Sequence, residues 1–403
     1  MITSIRIPQL FKQKENFLLL FFCFLIGFTS IKNAIILAVR KAIILPFKLD
    51  VIILYLIYGL IILYSIRYVF KKIYKESILI LTFLTVFFIL AYLQSNPSYL
   101  LTVGWQLLLA FIVYLYARAT TDFKGLNAVL QYTAPLISFS VFLLIVVFSV
   151  NEDTDYSQYT AYLVLPSAVI SALVIFSRFS LLHIINTLFS IILMFISGAR
   201  GPLVCFVLII LIKAIYMLVK NKNYEAFLIW IGILSLPIVL FGIKLLNYFS
   251  QLIINKGYST RLLSFIAKDD VLNETGRDEI RDYVISLIGQ HPITGVGLAL
   301  DRMMINRQIG NPTSVAIGDY PHNFILEILL QYGVILGGVL ILLFLRLVYL
   351  SFKRSSNDDT INILFIFLSI GFFPLLFSGS YLNAPFFFSF LGFAFSIAKQ
   401  KKL

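Results

Sequence analysis

The sequence predicts an all-α polytopic membrane protein. Of its 403 residues, 60% are hydrophobic and only 13% are charged, and the mean hydropathy is +0.96. About twelve apolar runs are long enough to cross a bilayer as helices, and short clusters of Lys and Arg separate most of them. This composition excludes a soluble globular protein.

The order of the apolar runs gives the topology. We place the membrane spans at residues 17–39, 50–70, 77–94, 99–117, 127–150, 158–177, 181–197, 202–220, 224–247, 322–349, 360–377 and 384–398. More than half of the 32 Lys and Arg residues then lie on the side of the N-terminus, which the positive-inside rule assigns to the cytoplasm. The first outer loop is an exception to this rule, because it contains Arg40, Lys41 and Lys48. The even number of spans places both termini inside.

One long polar segment interrupts this pattern and faces outward. It is a periplasmic or extracellular loop at residues 248–321, between spans one to nine (residues 1–247) and spans ten to twelve with a cytoplasmic tail (residues 322–403). Long loops more often carry function than packing.

The net charge of +13 is spread over short clusters, without the folded basic face that nucleic acid requires. We therefore expect no nucleic-acid partner.

Within this loop, residues 273–289 (NETGRDEIRDYVISLIG) predict an amphipathic helix. Its apolar residues repeat at helical spacing: Ile280, Val284, Leu287 and Ile288. Arg277 and Arg281 are four residues apart and therefore project from one face, where each guanidinium suits a phosphate oxygen pair. The alternative is that both arginines pair with neighbouring carboxylates on a solvated surface.

A histidine stands at the start of the tenth span, in the sequence GDYPHNF. Pro321 suits a first helical turn and Asp319 suits its cap, so we expect His322 in that turn. There the positive end of the helix dipole disfavours imidazolium and leaves a neutral ring that can act as a general base. The alternative is an interfacial histidine that only contacts water. Glu327, one turn beyond Asn323, either orients this site or has a structural hydrogen-bonding role.

Arg200 lies in a tight turn, SGARGP, on the same outer side as the loop. Burying a guanidinium near hydrocarbon costs about 2.5 kcal/mol or more unless a partner or water takes the charge. No acidic residue lies near it in the sequence. Arg200 is therefore a candidate functional residue, and the alternative is an arginine that binds lipid headgroups.

The outward face thus combines four arginines with one histidine: Arg200, Arg261, Arg277, Arg281 and His322. This set suits a pyrophosphate-activated donor, because arginines can neutralise a diphosphate and a diphosphate leaves without a general acid. A base must then deprotonate the attacking hydroxyl, which is the role His322 suits. No cysteine pair or compact carboxylate cluster has the spacing of a metal site, so we expect neither a metal nor another cofactor.

At these residues the chain resembles the O-antigen ligase and polymerase superfamily. The resemblance rests on motifs in a fixed order: Ser-x-x-Arg-Gly (Ser197, Arg200, Gly201), Arg261, Gly-Arg (Gly276, Arg277), Pro-x-x-Gly-x-Gly (Pro292, Gly295, Gly297), His-Asn (His322, Asn323) and Gly333. It is concentrated in residues 195–338. Two positions depart from the family pattern: Ala199 stands where a serine is common, and Arg281 stands where an aromatic residue is common.

The resemblance implies a metal-independent glycan transferase with a GT-C-like membrane fold at the outer face of the bacterial inner membrane. Arg200, Arg261 and Arg277 would bind the diphosphate of an undecaprenyl-linked glycan donor, and His322 would act as base on the acceptor. A polymerase of O-antigen or capsular repeat units is favoured over a ligase to lipid A core, because the loop has no positive excess for a phosphorylated core. A chain-length regulator and a flippase are the expected partners.

Two other classes remain as alternatives. A flippase for lipid-linked sugars would place ionisable residues near the bilayer midplane, in paired and interrupted helices. A divalent-dependent GT-C glycosyltransferase would carry an acidic motif in its first outer loop, where this chain has only Asp50.

Overall fold

The computed structural model of the protein describes residues 16–27, 49–93, 97–148, 158–197, 200–220, 277–308, 320–355 and 357–399. Its α-helices are α1 Asn16–Gly27, α2 Leu49–Lys72, α3 Tyr74–Tyr92, α4 Pro97–Ala119, α5 Phe123–Phe148, α6 Gln158–Ser177, α7 Leu181–Ile196, α8 Arg200–Val219, α9 Arg277–Gln290, α10 Leu300–Gln308, α11 Phe324–Arg354, α12 Asp358–Phe367, α13 Phe373–Phe377 and α14 Pro385–Lys399. A π-helical turn, Leu368–Phe372, joins α12 to α13, and a 3₁₀ turn, Tyr381–Asn383, precedes α14. The described residues form helices and no strand, which confirms the all-α class.

Seven helical segments among the described residues are long and apolar enough to cross a membrane: Tyr74–Tyr92, Tyr99–Ala119, Phe123–Ile145, Tyr159–Ser177, Arg200–Val219, Phe324–Arg354 and Asp358–Phe377. The shorter helices α1, α7 and α14 are also apolar. The prediction of a polytopic membrane protein is thereby confirmed. The predicted ninth span, residues 224–247, lies outside the described residues, and the first predicted span is described only as far as Gly27.

The chain forms two compact units that are not consecutive in sequence. Unit 1 consists of Met1–Leu18, Leu60–Phe123 and Asn273–Leu403, and unit 2 of Leu19–Gly59 and Lys124–Leu272. Helices α3, α4 and α9 to α14 therefore belong to unit 1, and α6 to α8 belong to unit 2. The three consecutive domains expected from the sequence, and the GT-C character of the fold, stay predictions.

In unit 1, α4 packs closely against α14. Gly392 permits this approach, because a Cβ atom there would lie 2.5 Å from the carbonyl oxygen of Tyr114 and 2.6 Å from the Cβ of Ala117. Small residues at such crossings allow two helix backbones to come together inside a membrane. The Phe-rich sequence of α14 thus serves packing on at least one of its faces.

Polar contacts mark both ends of this helix pair. At one end the Glu76 carboxylate accepts hydrogen bonds from Arg118 Nε (3.1 Å) and Lys399 Nζ (2.6 Å). At the other end the hydroxyl of Tyr99 donates to the carbonyl of Ala299, at 2.9 Å. Helix α4 has 23 residues, so these ends are separated by about 35 Å at 1.5 Å per residue. The candidate site lies at the Ala299 end.

Unit 2 contains its own hydrogen-bonded network between α5, α6 and α7. The side-chain amide of Asn186 donates to the hydroxyls of Ser167 (2.9 Å) and Ser171 (2.7 Å) and accepts from Ser138. The ring nitrogen Nδ1 of His183 lies 3.2 Å from the Ser171 hydroxyl. Hydrogen bonds of this kind hold apolar helices together where no water competes.

Candidate active site

The start of α11 places the histidine that the sequence singles out. The helix begins at Phe324, and the side chain of Asn323 caps it by accepting from the backbone amides of Ile325 (2.9 Å) and Leu326 (3.2 Å). His322 therefore precedes the cap, and its expected position in the first helical turn is wrong. The reason is that the Asn323 side chain satisfies the first free amides itself. Asp319 lies outside the described residues.

His322 adopts a backbone conformation that is rare for its residue type. Its φ angle is 53°, in the left-handed region that favours glycine. A non-glycine residue keeps such a conformation only where its surroundings impose it, and residues of this kind cluster at functional sites. The imidazole is half-buried beside the ring of Tyr320, with 4.2 Å between ring centroids and 46° between ring planes.

Tyr320 links this histidine to a buried arginine. Its hydroxyl donates to the carbonyl oxygen of Ser378 at 2.6 Å, and its ring centroid lies 5.5 Å from Cζ of Arg302. The Arg302 side chain is completely buried. Its Nη2 donates to Ser380 Oγ at 2.6 Å and to Asn383 Oδ1 at 3.0 Å. One guanidinium thus holds the chain between α13 and α14 against α10.

The buried guanidinium has a buried carboxylate beside it. Glu327 Oε1 lies 3.9 Å from Arg302 Nη2 and accepts from the Ser380 hydroxyl, and its Oε2 accepts from the backbone amide of Tyr381 at 3.3 Å. These are the hydrogen bonds that the structural interpretation of Glu327 expects. An orienting role of Glu327 toward His322 stays a prediction. A buried charge of either sign is tolerated only when it is paired and hydrogen-bonded in this way.

A second buried carboxylate lies next to the arginine in sequence. Asp301 Oδ1 accepts from Gln331 Nε2 at 2.9 Å, and the side-chain oxygen Oε1 of Gln331 accepts from the Tyr381 hydroxyl. Burial raises the pKa of Asp301 above its usual range, while the Arg302 guanidinium and the Gln331 hydrogen bond partly oppose this shift. We call the six residues that form these contacts the polar cluster: Asp301, Arg302, Glu327, Gln331, Ser380 and Tyr381.

Helix α11 is broken beside the polar cluster. Gly333 has φ 75° and ψ 169°, which no helical residue adopts. The amide of Val334 therefore donates to the carbonyl of Pro292 at 2.7 Å, and the Leu330 carbonyl that it would meet in a continuous helix accepts from Val296 at 2.8 Å. Irregular backbone at membrane depth is tolerated where protein groups satisfy it. The segment from Pro292 to Val296 supplies those groups here.

Glycine is required on both sides of this contact. At Gly295, with φ 65°, a Cβ would lie 2.5 Å from the Gln331 carbonyl oxygen. At Gly333 a Cβ would lie 2.2 Å from the carbonyl oxygen of Ile293. The Pro-x-x-Gly-x-Gly motif and the glycine after His-Asn are thus two halves of one backbone contact. The motif thus has a structural role in the described residues.

The predicted amphipathic helix is present as α9. Its apolar side packs on α10 and α11 in one buried cluster: Val284, Leu287, Ile305 and Leu330. On the polar side, Arg281 Nε lies 3.4 Å from Asp282 Oδ1, and the side chains are 53% and 72% exposed. This is the solvated pair that the alternative interpretation expects. A diphosphate-binding role for Arg281 stays a prediction.

The structure assigns the other predicted arginines to different parts of the molecule. Arg277 is the first residue of α9 and belongs with His322 to unit 1. Arg200 is the first residue of α8, has an exposed side chain, and belongs to unit 2. Arg261 lies outside the described residues. A shared diphosphate site for the three arginines therefore stays a prediction.

Sequence reasoning missed the arginine of the polar cluster and the tyrosine beside His322. Arg302 counts in the sequence only as one charge of a mixed polar loop. A signal was nevertheless present, because Glu327 and Gln331 stand four residues apart in an apolar run and so predict one polar face inside a membrane helix. Such a face needs a cationic partner from elsewhere. No comparable signal marks Tyr320.

The described residues contain no group of three or more His, Cys, Asp or Glu side chains arranged to hold a metal ion. The aromatic ring beside His322 is that of Tyr320, and the Arg302 guanidinium lies on the ring of this tyrosine.

Fold and site together define a multi-pass membrane protein. Its half-buried His322 directly precedes the capping residue of α11, the helix that is broken at Gly333. Residues 185–343 match the family model described as O-antigen ligase. This match to part of the chain supports the resemblance to the O-antigen ligase and polymerase superfamily that the order of the motifs predicts. The family is one of glycosyl-transfer enzymes, and the matched region includes all five predicted site residues from Arg200 to His322. No curated protein and no solved structure matches the chain.

Proposed function

We propose that the protein polymerises undecaprenyl-diphosphate-linked oligosaccharide repeat units into O-antigen or capsular polysaccharide. The reaction takes place at the periplasmic face of the bacterial inner membrane and needs no metal ion. The observation that carries this proposal is His322, which the fold holds in a strained conformation at the capped start of α11. The family domain around it supports glycosyl transfer as the reaction class.

In the proposed step, a hydroxyl of the acceptor repeat unit attacks the anomeric carbon of the donor. His322 takes the hydroxyl proton, the new glycosidic C–O bond forms, and the bond between the anomeric carbon and the phosphate oxygen breaks. The diphosphate leaves with its electron pair and stays on the undecaprenyl lipid. Arg200, Arg261 and Arg277 neutralise it, with Arg281 as a fourth candidate.

Two residues at the start of α11, its cap Asn323 and Glu327 in its first turn, support this base without touching the reacting atoms. Asn323 fixes the backbone directly after His322, because its side chain accepts hydrogen bonds from two backbone amides of the first turn. Glu327 fixes the first helical turn to the residues that precede α14, through Ser380 and Tyr381. In this role Glu327 orients the site through the backbone.

A ligase that transfers the finished glycan to lipid A core is the second candidate. The specific observation in its favour is the description of the matching family model, which is O-antigen ligase. Both reactions use the same donor and the same base. They differ only in the acceptor, which is a lipid-linked repeat unit for the polymerase and a phosphorylated core oligosaccharide for the ligase.

The test is glycan transfer by the purified, detergent-solubilised protein from a synthetic undecaprenyl diphosphate repeat unit, with EDTA present. We expect a ladder of products from the wild type. His322→Ala should lower the rate by about 10²- to 10⁴-fold, the usual contribution of a general base, and Arg277→Ala should lower it through weaker donor binding. His291→Ala is the matched control, since His291 directly follows α9, and it should leave the rate unchanged.

The acceptor decides between the candidates. Transfer to lipid A core without a ladder would establish the ligase in place of the polymerase. Absence of transfer to either acceptor, combined with movement of the lipid-linked donor across a vesicle bilayer, would replace both with a flippase. Loss of transfer in EDTA that Mg²⁺ or Mn²⁺ restores would contradict the metal-independent mechanism.

A further inference from the structure

Tyr320 contacts both the candidate base, His322, and Arg302 of the polar cluster. Its ring centroid lies 4.2 Å from that of the His322 imidazole and 5.5 Å from Cζ of Arg302. Its hydroxyl donates to the Ser378 carbonyl oxygen at 2.6 Å. The tyrosine is therefore fixed at its polar tip while its ring contacts the imidazole.

The imidazole needs such a support. His322 is followed by the rigid Asn323 cap and itself has a φ angle of 53°, so the start of α11 fixes its backbone. The backbone does not fix the orientation of the ring, because rotation about the histidine side-chain bonds remains. A general base must present one ring nitrogen to the acceptor hydroxyl within hydrogen-bond reach. The Tyr320 ring restricts that rotation.

Arg302 cannot reach a substrate, because its side chain has no exposed surface. It acts instead on its neighbours. Its hydrogen bonds to Ser380 and Asn383 fix the short segment between α13 and α14, and that segment carries the Ser378 carbonyl to which Tyr320 donates. The guanidinium thus supports Tyr320 twice, through the ring face and through the hydroxyl's acceptor.

We propose that Tyr320 is a positioning residue that orients the imidazole of His322, and that Arg302 acts on the site through Tyr320. This inference rests on the proposed function, in which His322 is the base. It assigns Tyr320 no contact with substrate, since its hydroxyl is engaged by a backbone carbonyl. The aromatic ring, and not the hydroxyl, is the feature that orients the histidine.

The kinetic test compares Tyr320→Leu with Tyr320→Phe in the transfer assay described above. Tyr320→Leu removes the ring, and we expect kcat to fall by about 10- to 100-fold because misplacement of a catalytic group has this effect. KM for the donor should change by less than about twofold, because the donor is bound by other residues. Tyr320→Phe keeps the ring and should restore kcat to within about threefold of wild type.

The control is Tyr349→Leu, an exposed tyrosine on the same helix α11, which should leave both constants unchanged. Thermal unfolding in detergent reports whether each variant is folded. If Tyr320→Leu is not folded, Tyr320→Met fills more of the space with a flexible side chain and is held to the same criteria. Equal loss of kcat in the Phe and Leu variants would overturn the role of the ring, as would an unchanged kcat in a folded variant without the ring.

A double-mutant cycle tests the link to Arg302. Asn383→Ala removes one acceptor of Arg302 at an exposed side chain, and we expect kcat to fall by about threefold, a modest coupling for residues in one network. In the Tyr320→Leu background the same change should have no further effect. Independent, multiplying effects would show that Arg302 does not act through Tyr320.

A second readout does not depend on glycosyl transfer. Diethyl pyrocarbonate acylates neutral imidazole, and peptide mass spectrometry can follow His322 and His291 in the same sample. Relative to His291, the rate at His322 should rise by about threefold or more in Tyr320→Leu and stay unchanged in Tyr320→Phe, because only the former frees the ring. An unchanged ratio in Tyr320→Leu would overturn the proposal. A changed ratio in a protein that transfers no glycan would keep the positioning role and reject the proposed function.

Discussion

Helices α9 and α10 lie close together in sequence, pack on the same broken helix, and treat their arginines in opposite ways. On α9, Arg281 is 53% exposed beside a carboxylate that is 72% exposed. On α10, Arg302 is completely buried beside Glu327, of which 1% of the side chain is exposed. The same residue type is therefore available to a ligand on one helix and is part of the interior on the other.

The difference has a physical cause in the neighbours of each helix. Helix α9 packs with one apolar stripe, so its charges remain in water, where an ion pair contributes about 0–1 kcal/mol. The start of helix α10 is buried against α11 and the turn before α14. The charge of Arg302 must be neutralised there. An arginine count along the loop cannot separate these two cases. The burial of each side chain separates them.

The largest expected effect follows from removing the buried arginine. Arg302→Ala leaves Glu327 in a dry environment without its cation, and we expect the free energy of unfolding to fall by about 3–5 kcal/mol. Thermal or denaturant unfolding in detergent measures this change. The double variant Arg302→Met, Glu327→Met should recover much of the loss, because neither member of the pair is then left buried without its partner.

Arg307→Ala is the matched control for this prediction, because Arg307 is an exposed arginine on the same helix. Its effect should be below about 0.5 kcal/mol. Equal destabilisation by both alanine variants would contradict the contrast between buried and exposed arginines.

The next effect concerns the contact that joins α9, α10 and α11. Gly333→Ala places a Cβ 2.2 Å from the Ile293 carbonyl oxygen at a φ angle of 75°, and we expect a loss of about 2–3 kcal/mol from strain and displaced hydrogen bonds. Gly338→Ala is the control, since nothing lies within 4 Å of its Cβ, and it should be neutral or stabilising. A similar stability for the two variants would show that the turn does not depend on this break.

How far the sequence predicts this molecule depends on the range of the interactions. Membrane spans follow from local apolar runs, and α9 follows from the spacing of Val284 and Leu287, so both were predictable. The polar cluster joins Arg302 to Ser380 and Glu327, which are distant in sequence, so local patterns do not reveal it. The capping of α11 by Asn323 was missed because Pro321 and Asp319 offer an equally plausible local start.

A smaller effect should appear as a pH dependence of stability. Burial raises the pKa of Asp301 in the folded protein, so the folded state holds this proton more tightly than the unfolded chain. The free energy of unfolding should therefore fall as pH rises from about 4, the ordinary aspartate pKa, until the carboxyl is ionised. Asp301→Asn does not titrate and should be more stable than wild type by about 1 kcal/mol above this window.

Unfolding measured from pH 4 to pH 8 tests this expectation. Asp282→Asn on α9 is the matched control at an exposed carboxylate. A wild-type stability that rises through this window, or an Asp301→Asn variant that is least stable at the alkaline end, would contradict the raised pKa.

The smallest effect on stability is expected at Arg281, where the effect on function decides its role. Its pair with Asp282 is exposed, so Arg281→Ala should change the free energy of unfolding by less than about 0.5 kcal/mol. If the guanidinium binds the donor diphosphate, KM for the donor should rise by about tenfold while Arg307→Ala leaves it unchanged, because loss of a charge-assisted bidentate contact has this size. Arg281→Lys should recover the charge but only part of the affinity, since a lysine lacks the planar fork. An unchanged KM in Arg281→Ala would leave this arginine as half of a solvated surface pair and would assign the diphosphate contact on α9 to Arg277 alone.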